Sequence, residues 1–123
     1  MPFLVEAEEC TPTLLPWGSL TWMAGSPDSP DGEMTFGIVE IASGARNPLH
    51  LHPNCAEFLY VMSGSGEHFL EGEVFPIKPG SLVQIPRGVK HWARCTSVEP
   101  IRAVIVFSSP HRETETFDGD GAA

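Results

Sequence analysis

Basic residues are scarce in this sequence: seven Lys and Arg stand against sixteen Asp and Glu, for a formal net charge of −9. Nucleic acids and anionic membrane surfaces are held by stripes of Lys and Arg, so neither is expected as a partner. The excess of acid is read as a solubility feature. Sustained apolar runs are lacking too. The opening residues, MPFLVEAEEC, hold no basic stretch ahead of an apolar core and no span fit for a bilayer. Neither a signal peptide nor a transmembrane helix is therefore expected, and the location is read as cytoplasmic. Cysteine is limited to Cys10, Cys55 and Cys95, an odd number without close pairing, which points to reduced thiols and not to a disulfide framework. No helical period persists over three turns, and no internal repeat is found.

What is present favours short strands. With 41% hydrophobic residues, 12 Gly and 12 Pro, the composition suits many strands joined by turns. At 123 residues the expectation is a single domain over 1–123 with one modest core, about 18–108, an N-terminal arm over 1–17 and a polar tail over 109–123. The arm is irregular, with room for a short strand at Phe3 to Val5. Strands are expected at Gly18 to Ala24, Met34 to Ile41, Glu57 to Met62, Glu67 to Leu70, Val74 to Ile77, Ser81 to Ile85, Val89 to Cys95 and Ile101 to Phe107. The segment 25–33 reads as a surface loop, EGE at Glu71 to Glu73 as a hairpin turn, and the residues after Ser108 as solvated and partly disordered. Met34 to Ile41 is apolar on both faces, so its inward side is open. About nine short strands suggest a sandwich or closed barrel.

Chemistry concentrates between Gly44 and Gly64, GARNPLHLHPNCAEFLYVMSG. His50 and His52 are two residues apart, and on an extended strand both imidazoles leave one face. Pro53 and Asn54 allow the chain to turn and bring Glu57 back toward them. Two imidazoles and a carboxylate suit a first-row transition ion better than calcium or magnesium, which prefer all-oxygen shells.

The spacing Gly44, five residues, His50-Leu51-His52, four residues, Glu57, six residues, Gly64 resembles the first motif of the cupin superfamily. Gly80, five residues, Pro86-Arg87-Gly88, two residues, His91 resembles the second, with Cys95 where that motif has asparagine. The resemblance implies an all-β fold, a single double-stranded β-helix or jelly-roll barrel of six to eight strands. It also implies that His50, His52, Glu57 and His91 bind one divalent transition metal (Fe, Mn, Ni or Zn). Such a set can leave one or two positions for water, substrate or dioxygen. The activities implied are those of a small metal-dependent enzyme on an oxygen-bearing organic substrate, of oxygenase (dioxygenase, oxidoreductase), isomerase or lyase type. A non-catalytic ligand-binding or sensing module is the alternative. Small cupins often dimerise, so a homodimer with a role for the arm from Phe3 to Trp17 is expected.

Other residues carry plainer readings. Arg46 shares strand parity with His50 and could reach a substrate carboxylate, though a solvated or salt-bridged guanidinium is the preferred reading. Tyr60 has the opposite parity to Glu57 and is assigned to packing or an interface. Cys55 and Cys95 read as small buried apolar residues. His68 and His111 lie outside both motifs and are not taken as ligands. Trp17, Trp22 and Trp92 are assigned to core or interface.

Overall fold

Burial alternates along the strands, and two sheets result. The structure, a computed structural model, describes residues 3–26 and 32–119. Among these, eleven short strands succeed one another: β1 (Thr13–Leu15), β2 (Gly18–Ala24), β3 (Thr35–Ile41), β4 (His50–Leu51), β5 (Glu57–Ser63), β6 (Gly66–Leu70), β7 (Glu73–Ile77), β8 (Leu82–Ile85), β9 (His91–Cys95), β10 (Ile101–Phe107) and β11 (Glu115–Thr116). One sheet has the order β1-β2-β3-β10-β5-β8 and the other β11-β4-β9-β6-β7. All pairings are antiparallel. This is the all-β jelly roll expected, with more and shorter strands than anticipated. No helix of the described residues is long and apolar enough to cross a membrane.

The structure settles the ambiguous face of β3. Thr35, Gly37, Val39 and Ile41 point inward, while Phe36 and Ile38 lie on the outer face. Gly37 supplies the reason: a Cβ there would sit 2.5 Å from the Trp22 ring. Slipping β3 by one residue would drive Phe36 or Ile38 into the same indole. Across the sheet, β10 buries Ile101, Ala103, Ile105 and Phe107. The hairpin between β6 and β7 closes through Glu71 and Gly72, both at positive φ (52° and 78°), as a two-residue primed turn requires.

Strand register separates the barrel into two ends. Phe107 pairs with both Thr35 and Glu57, and His91 pairs with His50 and Leu70. At the other end Ile101 pairs with Ile41, and Cys95 with Gly66. Buried Val39, Ile41, Val61, Ile101 and Ala103 fill that second end with aliphatic side chains. The first end is therefore left to the polar inward residues.

Two segments depart from expectation, and a third lies partly outside the described residues. No strand forms at Phe3 to Val5; the arm makes a short 3-10 turn at Ala7–Glu9, then β1, which pairs with β2. Trp17 at its end is buried in the core. In the expected loop over 25–33, residues 27–31 lie outside the described residues. The tail folds back instead of remaining free up to residue 119: β11 pairs with β4, and the Asp118 carboxylate accepts from the Leu49 backbone N–H at 2.6 Å. Its polar composition conceals this, because what β11 supplies is backbone pairing to the two-residue strand β4, and backbone pairing needs no apolar side chains.

Candidate metal centre

Four buried side chains meet at the polar end of the barrel. His50 comes from β4, His52 from the turn that follows it, Glu57 from the first position of β5 and His91 from the first position of β9. One ligand-type atom from each lies within 4.8 Å of the others. The His50 and His91 rings are 4.1 Å apart between centroids, and His52 lies 5.1 Å from His50.

Backbone carbonyls orient the three rings. His50 Nδ1 faces Pro48 O at 2.6 Å, His52 Nδ1 faces Glu113 O at 3.0 Å, and His91 Nδ1 faces Val89 O at 2.9 Å. A carbonyl oxygen only accepts, so each Nδ1 carries the proton and donates it. Each Nε2 is left as a lone pair. All three Nε2 atoms and Glu57 Oε1 are buried without a hydrogen-bond partner, and Oε1 stands 3.2 Å from Nε2 of both His52 and His91. Lone pairs crowded together in a dry site are costly unless a cation joins them. The donor set thus fits a divalent transition ion, with nitrogen and oxygen donors and ring orientations held by second partners.

Titration of the group is consistent with that use. Burial, helped by the neighbouring His91, lowers His50 to about 3, so its ring is neutral near pH 7. Burial alone would push the Glu57 carboxyl up, but a proton on Nε2 of the adjoining His52 or His91, standing where a cation would, outweighs it and holds the group below the usual carboxylate range. Neutral imidazoles beside an ionised carboxylate are the forms that bind metal.

A family profile described as Cupin domain matches residues 37–107, more than half of the chain and both motifs. The chain belongs to the cupin family. This cupin is similar to the L-ectoine synthase of Aliivibrio fischeri strain MJ11, 33% identical over 88 residues that make up 71% of this chain and 68% of that protein. It is similar also to the L-ectoine synthase of Saccharophagus degradans, 34% identical over 90 residues, 72% of this chain and 66% of that one. Among solved structures, the oxalate decarboxylase of Lactobacillus farciminis superposes with a TM-score of 0.85 at 23% identity, over 94% of this cupin and 36% of that chain. The Bacillus subtilis oxalate decarboxylase gives 0.80 at 22%, over 89% and 30%. This cupin spans about a third of those longer chains, and the likeness is one of fold.

The remaining candidates fall into place around the centre. Arg46 does not enter the barrel: its guanidinium pairs with Asp118 at 2.9 Å and lies over the Trp92 ring. The strand parity carried back from His50 fails because Arg46 sits in an isolated bridge to Arg94, outside β4, while Asn47 is turned inward and buried. Tyr60 is exposed on the outer face, as read from parity, and Cys55 and Cys95 are buried free thiols, as expected of small apolar side chains. His111 is exposed; its carbonyl accepts from Asn54 Nδ2 at 2.9 Å.

Two residues gain a place that the sequence did not announce. His68 is fully buried, its ring parallel to His91 at 6.0 Å between centroids, with neither nitrogen partnered among the described residues. Burial chiefly, with His91 beside it, lowers it to about 4, so it is a neutral imidazole. The alternation that puts Gly66 and His68 on one face of β6 was the available signal. Arg112 follows β10 in a segment whose composition resembles a free tail. Its Cζ lies 3.6 Å from the Trp22 ring centroid and 5.6 Å from that of Phe107, whose ring meets His52 edge-on at 4.9 Å.

Proposed function

We propose that this cupin is a metal-dependent enzyme in which His50, His52, Glu57 and His91 hold one divalent transition ion and a small oxygen-bearing organic molecule is the substrate. The convergence of three oriented Nε2 lone pairs and one carboxylate on a single buried point carries this reading. An ion bound there supplies Lewis acidity toward a substrate oxygen. The chain's own part is to hold that point rigidly from strand ends and to exclude bulk water with the inward Phe107 and Trp22 rings. The similarity to proteins named as L-ectoine synthases favours lyase chemistry over the dioxygenase alternative. A cytoplasmic setting agrees with the free thiols Cys10, Cys55 and Cys95.

The test is reconstitution of the purified chain with iron, manganese, nickel or zinc, followed by a screen on small hydroxy, keto and amino acids for elimination, cyclisation and isomerisation, with oxygen uptake followed in parallel. Turnover without oxygen uptake supports the lyase reading. Oxygen-dependent turnover would replace it with an oxygenase, and silence with every well-occupied metal would make the protein a binding module.

The same reading includes a homodimer, joined through the outer face of the six-stranded sheet. Phe58, Tyr60, Met62 and Leu82 are exposed there, and Tyr60 lies in register with both Leu82 and Val104, so the apolar surface runs across three strands. A contiguous patch of this kind is uncommon on a monomer. The arm lies close by, where Glu6, Cys10 and Pro12 share a groove with Thr21, Ile38 and Arg102. Sedimentation equilibrium should give a dimer for the wild type and a monomer for Tyr60→Asp. A monomeric wild type would reject this interface.

A further inference from the structure

Arg112 makes no ion pair among the described residues, with the Glu57 carboxylate near enough to act on it only through space, in a chain that has more than twice as many acids as bases. Among the described residues no carboxylate pairs with it, and its Nε is buried without a hydrogen-bond partner. Its close neighbours are aromatic: the guanidinium lies over Trp22 and beside Phe107. Cation–π contact holds the plane of the group but leaves the in-plane N–H donors free. The buried Nε has given up water without gaining an acceptor, which is unfavourable unless a ligand supplies one.

Its position ties it to the metal centre. Phe107 is a neighbour of both, its ring centroid 4.9 Å from that of His52 and 5.6 Å from Arg112 Cζ. The segment that carries Arg112 is fixed on both flanks by one residue: Asn54 Nδ2 donates to His111 O, and Glu113 N donates to Asn54 Oδ1, each at 2.9 Å. Glu113 O in turn receives the His52 Nδ1 proton. The strap that orients a proposed ligand of the metal therefore also aims Arg112.

We propose that Arg112 is the anion-binding residue of the pocket, and that the molecule bound there is an organic carboxylate whose anionic end pairs with Arg112 while another of its oxygens reaches the metal. This deepens the enzyme reading given above and rests on it for the location of the pocket. A single fork-shaped cation, held flat by Trp22, matches a planar monoanion through two parallel N–H to oxygen bonds. It matches a multiply charged phosphate less well, because Glu57 already places negative charge nearby.

The experiment uses the full chain, loaded with redox-silent zinc and again metal-free. Short hydroxy, keto and amino carboxylates are titrated against their matched primary amides, with inorganic phosphate as a further arm. Binding is followed by calorimetry and by tryptophan fluorescence, to which Trp22 beside Arg112 contributes together with Trp17 and Trp92. At least one carboxylate is expected to bind about tenfold to a hundredfold more tightly than its amide, the range for a charge-assisted pair. In Arg112→Met that ratio falls to about one, and in Arg112→Lys, which keeps the charge and loses the fork, it is intermediate. Zinc content stays at the wild-type level in both variants, because Arg112 is not among the four donors. Were the metal reading wrong, zinc would not bind, yet the carboxylate preference would persist in the metal-free chain. No preference in the wild type, a preference retained in Arg112→Met, or tighter binding of phosphate than of every carboxylate would overturn the proposal.

Discussion

Glu57→Gln is expected to reduce bound metal from about one equivalent per chain to near zero after dialysis, as measured by elemental analysis. Glu57 contributes the one anionic donor, with Oε1 3.2 Å from Nε2 of both His52 and His91. The amide keeps the shape and loses the charge. It can also turn an N–H toward a histidine lone pair, satisfying the imidazole that the ion would otherwise use. Loss of an outer partner of a ligand costs about 10–100-fold in metal affinity, and loss of a ligand itself should cost more. His50→Ala should behave alike, since it removes a donor already neutral and already oriented by Pro48 O. Thermal melting gives an independent reading. Metal at a thousand times its dissociation constant should stabilise the wild type by about 4 kcal/mol and leave both variants unmoved. Wild-type stoichiometry in both variants would rule out this ligand set.

Phe107→Ala is expected to be the most destabilising single truncation near the centre, by about 3–5 kcal/mol against a total of about 5–15 kcal/mol for a domain of ordinary stability. The ring is fully buried and touches Trp22 and His52. Its backbone also joins β3 to β5 through pairs with Thr35 and Glu57. Truncation opens a cavity between the sheets where the core meets the metal centre, and neighbouring strands cannot close it without moving Glu57. Urea unfolding of the metal-free protein measures the loss directly. Val98→Ala, at a side chain 95% exposed, is the control and should stay within about 0.5 kcal/mol. A Phe107→Ala loss no larger than the control's would show that this end of the barrel is not tightly packed.

Three residues of the candidate centre were legible because their arrangement is local: His50 and His52 are two positions apart, and the turn through Pro53 and Asn54 returns Glu57 toward them. His91 was pointed to only by the likeness of the second motif to that of cupins, and the pairing of β4 with β9 is what sets it beside His50. His68 was legible only in part: alternation places it opposite Glu67, but choosing the inward face needs the pairing of β6 with β9, where His68 meets Ala93. Arg46 and Arg112 show where local reasoning ends. The preferred reading of Arg46 as a salt-bridged guanidinium holds, but its partner Asp118, 72 positions away, could not be foreseen, and the parity-based alternative of a place in the pocket falls because the chain leaves the strand between Arg46 and His50. Arg112 lies in a stretch with the composition of a free tail, and no pattern within that stretch indicates that Asn54 will clamp it beside the metal centre.

By itself, then, the sequence determined the all-β class and most strand positions, because alternation and turn residues act over a few neighbouring positions, and through the likeness of its two motifs to those of cupins it pointed to His50, His52, Glu57 and His91 as candidate donors. Tertiary structure alone decided which face of β3 is inside, that β11 completes β4, and that Arg112 lies over the Trp22 ring. Each of these depends on what a distant segment brings: the Trp22 ring against Gly37, backbone groups against the two-residue strand β4, and the Asn54 amide against the strap. Such contacts are set by steric fit and by the requirement that buried backbone groups find partners, and neither can be evaluated until the chain has folded back on itself.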